Sequence, residues 1–246
     1  MQGRSETHYS HHLGRDMTIE VYGHGGKLAL VFPSQNGRPG DFNGFHMTDT
    51  IADRIYNGEI QLFCVDSVDE ETVSAVDGNP YDRIRRHEAW YRYITEELVP
   101  LIHEENGSGQ KLLSTGVSMG AYHAGNFFFR RPDIFDSVIA LSGVYDTDGM
   151  YGDYHDELVY LNSPIQYLRN LPAGHPYYDL YAQSKIIICV GQGAWEEPLL
   201  ESTRILDGVL REKGIAAWVD YWGFDVNHDW PWWQKQFPYF LSHILS

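Results

Sequence analysis

The feature that most restricts how this chain can fold is a pentapeptide placed between an apolar run and a helical stretch. The run KLLSTG leads directly into Gly116-Val117-Ser118-Met119-Gly120, and the segment MGAYHAGNFFFRRP that follows has helical character. A G-x-S-x-G pattern in this setting holds its serine in a strained conformation on a sharp turn from strand to helix. Small residues on either side let neighbouring backbone pass close by. The pattern therefore predicts that the Ser118 hydroxyl is raised above the edge of a sheet.

Apolar runs recur along the chain on either side of this motif. Four of them are nearly all apolar, which is typical of strands buried on both faces of a parallel sheet: IQLFCVDS (60–67), KLLSTGVS (111–118), SVIALSG (137–143) and KIIICVG (185–191). The earlier runs TIEVYG (18–23) and LALVFP (28–33) are separated by His24-Gly25-Gly26 and are predicted to pair as a hairpin. AWVDYWG (217–223) closes the series.

Helical patterns alternate with these strands. They cover residues 46–56, 83–105, 119–130, 198–213 and 231–245. The alternation predicts one α/β domain over residues 1–246, a doubly wound and mostly parallel sheet with helices on both faces. Residues 144–184 interrupt it with a segment rich in Tyr, Asp, Gly and Pro. A segment of this kind is predicted to be a cap-like insertion or pocket wall.

Charge and cysteine content narrow the possible partners and the compartment. The formal net charge of −16 argues against nucleic acid as a partner, because this chain would on average repel a polyanion. The two cysteines, Cys64 and Cys189, lie in apolar runs and are expected to pack in the core, which suits a reducing compartment. The N-terminus is polar, and no apolar run approaches the ~20 residues of a membrane span. We expect a cytoplasmic protein without a membrane partner; its oligomeric state is left open.

Backbone amides near Ser118 are candidates for holding a developing negative charge. The start of a helix favours an anion, so the amide of Met119 is one expected oxyanion donor. The second is expected from the loop after LALVFP, through the amide of Ser34 or Gln35. The alternative for this loop is an ordinary polar turn.

A general base is expected on the loop between the last strand and the terminal helix. Beyond residue 217 the histidines are His228 and His243, and His243 falls inside the predicted helix. His228 lies in GFDVNHDWPWW, where an imidazole can reach Ser118 and also bind a carboxylate. The alternative is a structural position at the helix N-terminus beside Asp229.

The acid of such a site is expected between the serine and the histidine in sequence, in the loop QGAWEE after KIIICVG. This leaves Glu196 or Glu197. Glu197 directly precedes Pro198, which suits the first helical position, so Glu197 is assigned to the N-cap and favoured as the acid. The alternative is that Glu197 only caps the helix and Glu196 orients His228.

Aromatic residues supply candidates for a substrate pocket. Tyr145 and Tyr151 belong to the insertion, and Trp230 belongs to the tryptophan cluster beside His228. All three are predicted to line the pocket, although loop aromatics are as often structural. The histidines of the N-terminal segment, His11 among them, have no cysteine nearby and do not indicate a metal site.

Two segments carry a family resemblance. TGVSMGAYHAGNFFFRRPDIF and DVNHDWPWWQKQFPYFL resemble the elbow and the histidine loop of the putative-esterase branch of the α/β hydrolases. That branch contains esterase D (S-formylglutathione hydrolase), feruloyl esterases and the antigen 85 mycolyltransferases. The resemblance runs from about residue 16 to the end.

The resemblance implies a serine carboxylesterase that acts on a small-molecule ester, with Ser118, Glu197 and His228 as its triad and no metal or organic cofactor. The family's aspartate falls on Glu197, where this chain carries glutamate in a longer loop. Two alternatives remain: an acyltransferase with the same triad, and a non-catalytic binding protein on a hydrolase scaffold.

Overall fold

The computed structural model describes residues 2–147 and 149–246, and these form one eight-stranded sheet. The strands are β1 Arg4–Ser10, β2 Arg15–Tyr22, β3 Lys27–Phe32, β4 Ile60–Val65, β5 Leu112–Val117, β6 Phe135–Leu141, β7 Lys185–Val190 and β8 Trp218–Tyr221. Their spatial order is β1-β2-β4-β3-β5-β6-β7-β8. The pairs β1–β2 and β2–β4 are antiparallel and the others are parallel. The predicted mostly parallel α/β sheet is confirmed.

The helices connect these strands at nearly the predicted positions. They are α1 Asp41–Gly44, α2 Ala52–Tyr56, α3 Pro80–Arg92, α4 Val99–Asn106, α5 Met119–Arg130, α6 Glu157–Leu161, α7 Pro164–Arg169, α8 Tyr177–Ala182, α9 Glu197–Glu212 and α10 Trp230–Ile244. A π-helical turn, Tyr93–Leu98, joins α3 to α4. In the part of the chain that the structure describes, no helix is both long and apolar enough to cross a bilayer.

Two hydrophobic clusters cover the two faces of the sheet. On β3, Leu28, Leu30 and Phe32 point to one cluster, whereas Ala29 and Val31 point to the other, as the two-residue period of a strand requires. Residues of α3, α4, α5 and α9 complete the first cluster, and residues of α1, α2 and α10 complete the second. Burial on both faces explains why the central strands are apolar throughout.

The predicted hairpin between residues 18–23 and 28–33 is wrong. β2 pairs with β1 and β4, and β3 pairs with β4 and β5, so β4 lies between the two strands that were expected to meet. The actual hairpin is β1–β2, in which Arg4 lies opposite Val21 and Ser10 opposite Arg15. β1 was missed because an edge strand with exposed, polar residues has no apolar run.

The segment 144–184 contains α6, α7 and α8, which follow one another between β6 and β7. α6 contacts α3, while α7 contacts both α5 and α9. The insertion is therefore packed against the helices on one face of the sheet. Its function as a cap remains a prediction.

Candidate active site

Ser118 lies on a strained turn between β5 and α5. Its backbone has φ 57° and ψ −124°, a region that a residue with a side chain rarely adopts. A Cβ atom on Gly116 would lie 2.3 Å from the carbonyl oxygen of Gly120, and one on Gly120 would lie 2.4 Å from that of Phe32. Neither distance is sterically possible, so both glycines are required for the turn to form.

His228 is placed against the Ser118 hydroxyl. Its Nε2 lies 2.9 Å from Ser118 Oγ. The loop that carries His228 is fixed at its backbone, where the His228 amide donates to the carbonyl of Ala194 over 3.0 Å. The imidazole also meets Trp233 edge to face, with 4.9 Å between ring centroids. These contacts hold the ring in the orientation that a general base requires.

Glu196, and not Glu197, lies against the other nitrogen of the imidazole. Glu196 Oε2 is 3.4 Å from His228 Nδ1, and the Glu196 side chain is buried. Glu197 is exposed. Glu197 is not the N-cap that the sequence predicted, because α9 begins one residue earlier: Glu197 is its first residue and Glu196 occupies the N-cap. Pro198 therefore marks the second helical position.

Ser142 orients this carboxylate and was missed in the sequence. Its hydroxyl donates to Glu196 Oε1 over 2.7 Å and accepts from Trp233 Nε1 over 3.2 Å. Ser142 follows β6 directly, at the carboxyl edge of the sheet, and its φ of 58° is in the left-handed region. Its place at the end of the run SVIALSG was the available signal, because ligands of open α/β sheets gather at this edge.

The predicted oxyanion donors lie on the two elements that flank Ser118. Met119 is the first residue of α5, where an amide has no intrahelical acceptor. In the loop after β3, the amide of Gly37 donates to the carbonyl of Ser34 over 2.8 Å. The amide of Asn36 donates to the carboxylate of Asp69 over 3.2 Å. The amides of Ser34 and Gln35 therefore remain the candidates within this turn.

The three aromatic residues predicted to line a pocket differ from one another in their exposure to solvent. Trp230 is partly exposed, stacks on Phe45 at 4.1 Å and meets Trp233 at 5.1 Å. Tyr145 and Tyr151 are only 0% and 3% exposed, so both rings are packed in the protein interior in this structure. Phe45, Trp230 and Trp233 form an aromatic wall beside His228.

Buried histidines lie behind the site. His123, on α5, donates through Nε2 to Asp69 Oδ1 over 2.9 Å, and its ring stacks on that of His87 at 5.5 Å. Burial, together with the neighbouring His123 and Arg130, holds the pKa of His87 well below its usual range. His87 is therefore neutral in the folded protein near pH 7.

This lowered pKa predicts a loss of stability in acid. Below the unfolded-state pKa of about 6.5, His87 binds a proton in the unfolded chain but stays neutral in the folded protein. The free energy of unfolding therefore decreases as the pH is lowered. One such proton corresponds to about 1.4 kcal/mol per pH unit. His87→Gln should flatten the stability curve by up to this slope, as measured by urea unfolding between pH 7 and pH 5.

The matched control for that measurement is His46→Gln, because the His46 side chain is 74% exposed. It is expected to retain the wild-type slope. If the free energy of unfolding changes with pH equally in His87→Gln and the wild type, protonation of His87 does not destabilise the folded protein.

No set of three His, Cys, Asp or Glu side chains within residues 2–147 and 149–246 is arranged to hold a metal ion. The histidines of the N-terminal segment belong instead to β1 and the turn after it. His8 Nε2 lies 2.9 Å from the Tyr93 hydroxyl, and His12 pairs with Glu96 at 2.8 Å.

The sheet order and the strained serine turn define the α/β-hydrolase fold, and its loops bring Ser118, His228 and Glu196 into contact. The chain belongs to the family described as Putative esterase, whose model matches residues 10–244. The family resemblance inferred from the sequence is thus confirmed. No curated protein sequence matches this chain significantly.

Several solved structures have the same fold. A ferulic acid esterase superposes with a TM-score of 0.77 at 15% identity, covering 99% of this chain and 97% of its own. S-formylglutathione hydrolase from Staphylococcus aureus gives 0.70 at 14% identity, with 100% and 96% covered. MPT51 from Mycobacterium tuberculosis gives 0.74 at 14% identity, with 100% and 98% covered.

Proposed function

We propose that this esterase-family protein is a serine carboxylic-ester hydrolase in which Ser118, His228 and Glu196 act as the triad. The observation that carries the proposal is the pair of contacts on one imidazole. His228 Nδ1–H faces Glu196 Oε2 at 3.4 Å, which leaves the Nε2 lone pair to accept from the Ser118 hydroxyl at 2.9 Å. This tautomer is the one that a general base needs.

In the first step, Ser118 Oγ attacks the ester carbonyl carbon while its proton passes to His228 Nε2. The buried carboxylate of Glu196 stabilises the imidazolium that forms. The carbonyl oxygen becomes an oxyanion, held by the amide of Met119 and that of Gln35 or Ser34. Donors fixed in advance are effective because they need no reorganisation as the charge develops.

The tetrahedral intermediate then collapses, and the C–O bond to the leaving group breaks. His228 Nε2 returns the proton to the departing alkoxide, which leaves as an alcohol. A water molecule repeats the sequence on the acyl-enzyme and releases the acid. In these steps the groups that transfer protons and hold the oxyanion are side chains and amides of this chain, and water is the second nucleophile.

The aromatic wall supports an apolar portion on the substrate. Phe45 is 43% exposed and stacks on Trp230. Trp230 in turn meets Trp233, the ring that contacts the His228 imidazole. Aromatic surfaces of this kind favour contact with apolar or planar groups. The structural neighbour named ferulic acid esterase is named after an acid that carries such a planar group.

The test is hydrolysis of p-nitrophenyl esters from acetate to palmitate, with product analysis in the presence of methanol. We expect release of free acid, with one preferred chain length that measures the acyl pocket. Methyl ester as the main product in dilute methanol would instead identify an acyltransferase. Absence of turnover on all esters, with no covalent modification of Ser118, would contradict the proposal and favour the binding-protein alternative.

A further inference from the structure

Asp69 is a buried acidic residue that the triad does not use. It begins the 3₁₀ turn Asp69–Glu71 after β4, and its side chain is 0% exposed. A carboxylate removed from water is costly unless hydrogen bonds satisfy its oxygens. The partners of this carboxylate therefore show what it stabilises.

Its two oxygens bind two different elements of the site. Oδ1 accepts from Nε2 of His123, on the helix that begins directly after Ser118, over 2.9 Å. Oδ2 accepts from the backbone amide of Asn36, in the loop after β3, over 3.2 Å. One buried group thus connects the helix that carries Met119 to the loop that carries Gln35.

The loop is further restrained from the same side. The side chain of Gln35 donates to Ser74 Oγ over 2.9 Å, and Ser67 Oγ donates to the carbonyl of Gly37 over 3.1 Å. Asn36 itself has φ 57°, in the left-handed region that asparagine adopts more readily than other residues with a side chain. The contact between the Asn36 amide and Asp69 lies at this left-handed turn residue.

His123 cannot move independently of the core. Its ring meets Trp90 edge to face at 4.8 Å and stacks on His87 at 5.5 Å. The ring is completely buried. His123 therefore provides a rigid attachment on α5, and Asp69 transmits that position to the loop.

We infer that Asp69, held by His123, is a positioning residue for the oxyanion hole: it sets the spacing between the amide of Met119 on α5 and that of Gln35 or Ser34 in the loop after β3. The inference rests on the proposed function, because it concerns the transition state of that reaction. Two donors from separate elements stabilise an oxyanion only if their spacing is fixed to within about 0.5 Å. Because its side chain is fully buried, Asp69 acts through Asn36 and His123.

The test is Asp69→Asn, measured with the best p-nitrophenyl ester. An amide oxygen can accept from the Asn36 amide, but the NH2 group can only donate to His123. That contact requires the other tautomer of His123, whose proton would sit on Nδ1, a buried atom with no hydrogen-bond partner among the described residues. We expect kcat to fall about 10- to 100-fold, with KM within about twofold of the wild-type value. This fall in kcat is no larger than the one caused by removing an oxyanion donor altogether.

A second readout separates positioning from general structural damage. A trifluoromethyl ketone matched to the substrate forms a charged tetrahedral adduct with Ser118, whereas the corresponding methyl ketone serves as a ground-state ligand. In Asp69→Asn we expect the inhibition constant of the first to rise in proportion to the loss of kcat and that of the second to stay constant. Equal weakening of both ketones, or an unchanged kcat, would overturn the inference.

Variants at His123 and Glu70 complete the design. His123→Gln keeps a side-chain N–H near Asp69 and should retain most of the activity, whereas His123→Leu should lose it as Asp69→Asn does. This pair decides the inference by the same readouts if Asp69→Asn does not fold. Glu70→Gln is the control, since the neighbouring Glu70 side chain is 63% exposed.

Turnover that persists in Ser118→Ala would instead contradict the proposed function itself.

Discussion

Ser118→Ala is expected to lower kcat for the best ester by at least about 10,000-fold while leaving the fold unchanged. The reason is that the variant lacks the oxygen that forms the covalent bond, and the amides around the site can supply only the remaining stabilisation. The measurement is steady-state kinetics on one ester. The variant is purified on a column that has not held the wild type, so that contaminating wild-type enzyme does not account for the residual rate.

The backbone at Ser118 supplies an independent control for this variant. Alanine must adopt the same strained φ of 57°, so Ser118→Ala should melt close to the wild type. Ser118→Gly removes the strain and is expected to be inactive yet more stable, by about 1 kcal/mol. Activity within tenfold of the wild type in either variant would contradict Ser118 as the nucleophile.

Glu196→Gln is expected to lower kcat by about 100- to 10,000-fold, since the amide no longer stabilises the imidazolium and can favour the wrong tautomer of His228. Glu197→Gln is the matched control: the same chemical change at the adjacent, exposed residue should leave kcat within about twofold. Kinetics of both variants on one ester, with circular dichroism of each, make the comparison.

The two glutamates are adjacent in sequence, so the comparison is sensitive to the register of the loop before α9. A large loss in Glu197→Gln with normal activity in Glu196→Gln would contradict the contact between Glu196 and His228. Comparable losses in both would mean that the loop tolerates neither change and that Glu196 is not specific in its function.

The elbow and the histidine loop could be predicted from sequence because their signals are local. Gly116 and Gly120 are required by backbone contacts within a few residues of Ser118 or from the adjoining strand. The contact of His228 with Ser118 could be predicted because a parallel sheet places the loops after its strands at one edge. The fold followed from the apolar runs, since strands covered on both faces contain few polar residues.

The errors arose where the outcome depends on pairing or on register. Sequence proximity favoured a hairpin between β2 and β3, but β4 inserts between them because β3 is apolar enough to lie centrally. The choice of Glu197 depended on a helix boundary that differs by one residue. Asp69 had no local signal, because its partners Asn36 and His123 are 33 and 54 residues away along the chain.

Two of the predicted pocket residues, Tyr145 and Tyr151, are buried for a related reason. Tyrosines in an irregular segment can face either solvent or the core, and composition does not distinguish the two. Tyr145 is buried with its ring against Gly125 and Gly143, whose missing side chains make room for it. The insertion therefore packs its aromatic residues inward at this position.

The most direct test of the central claim is covalent labelling with a fluorophosphonate, followed by intact mass and peptide mapping. This account predicts one adduct per chain, on Ser118, that is absent from Ser118→Ala and forms much more slowly in His228→Ala. Labelling at another residue, or an adduct on Ser118 that forms as fast without the imidazole of His228, would contradict it.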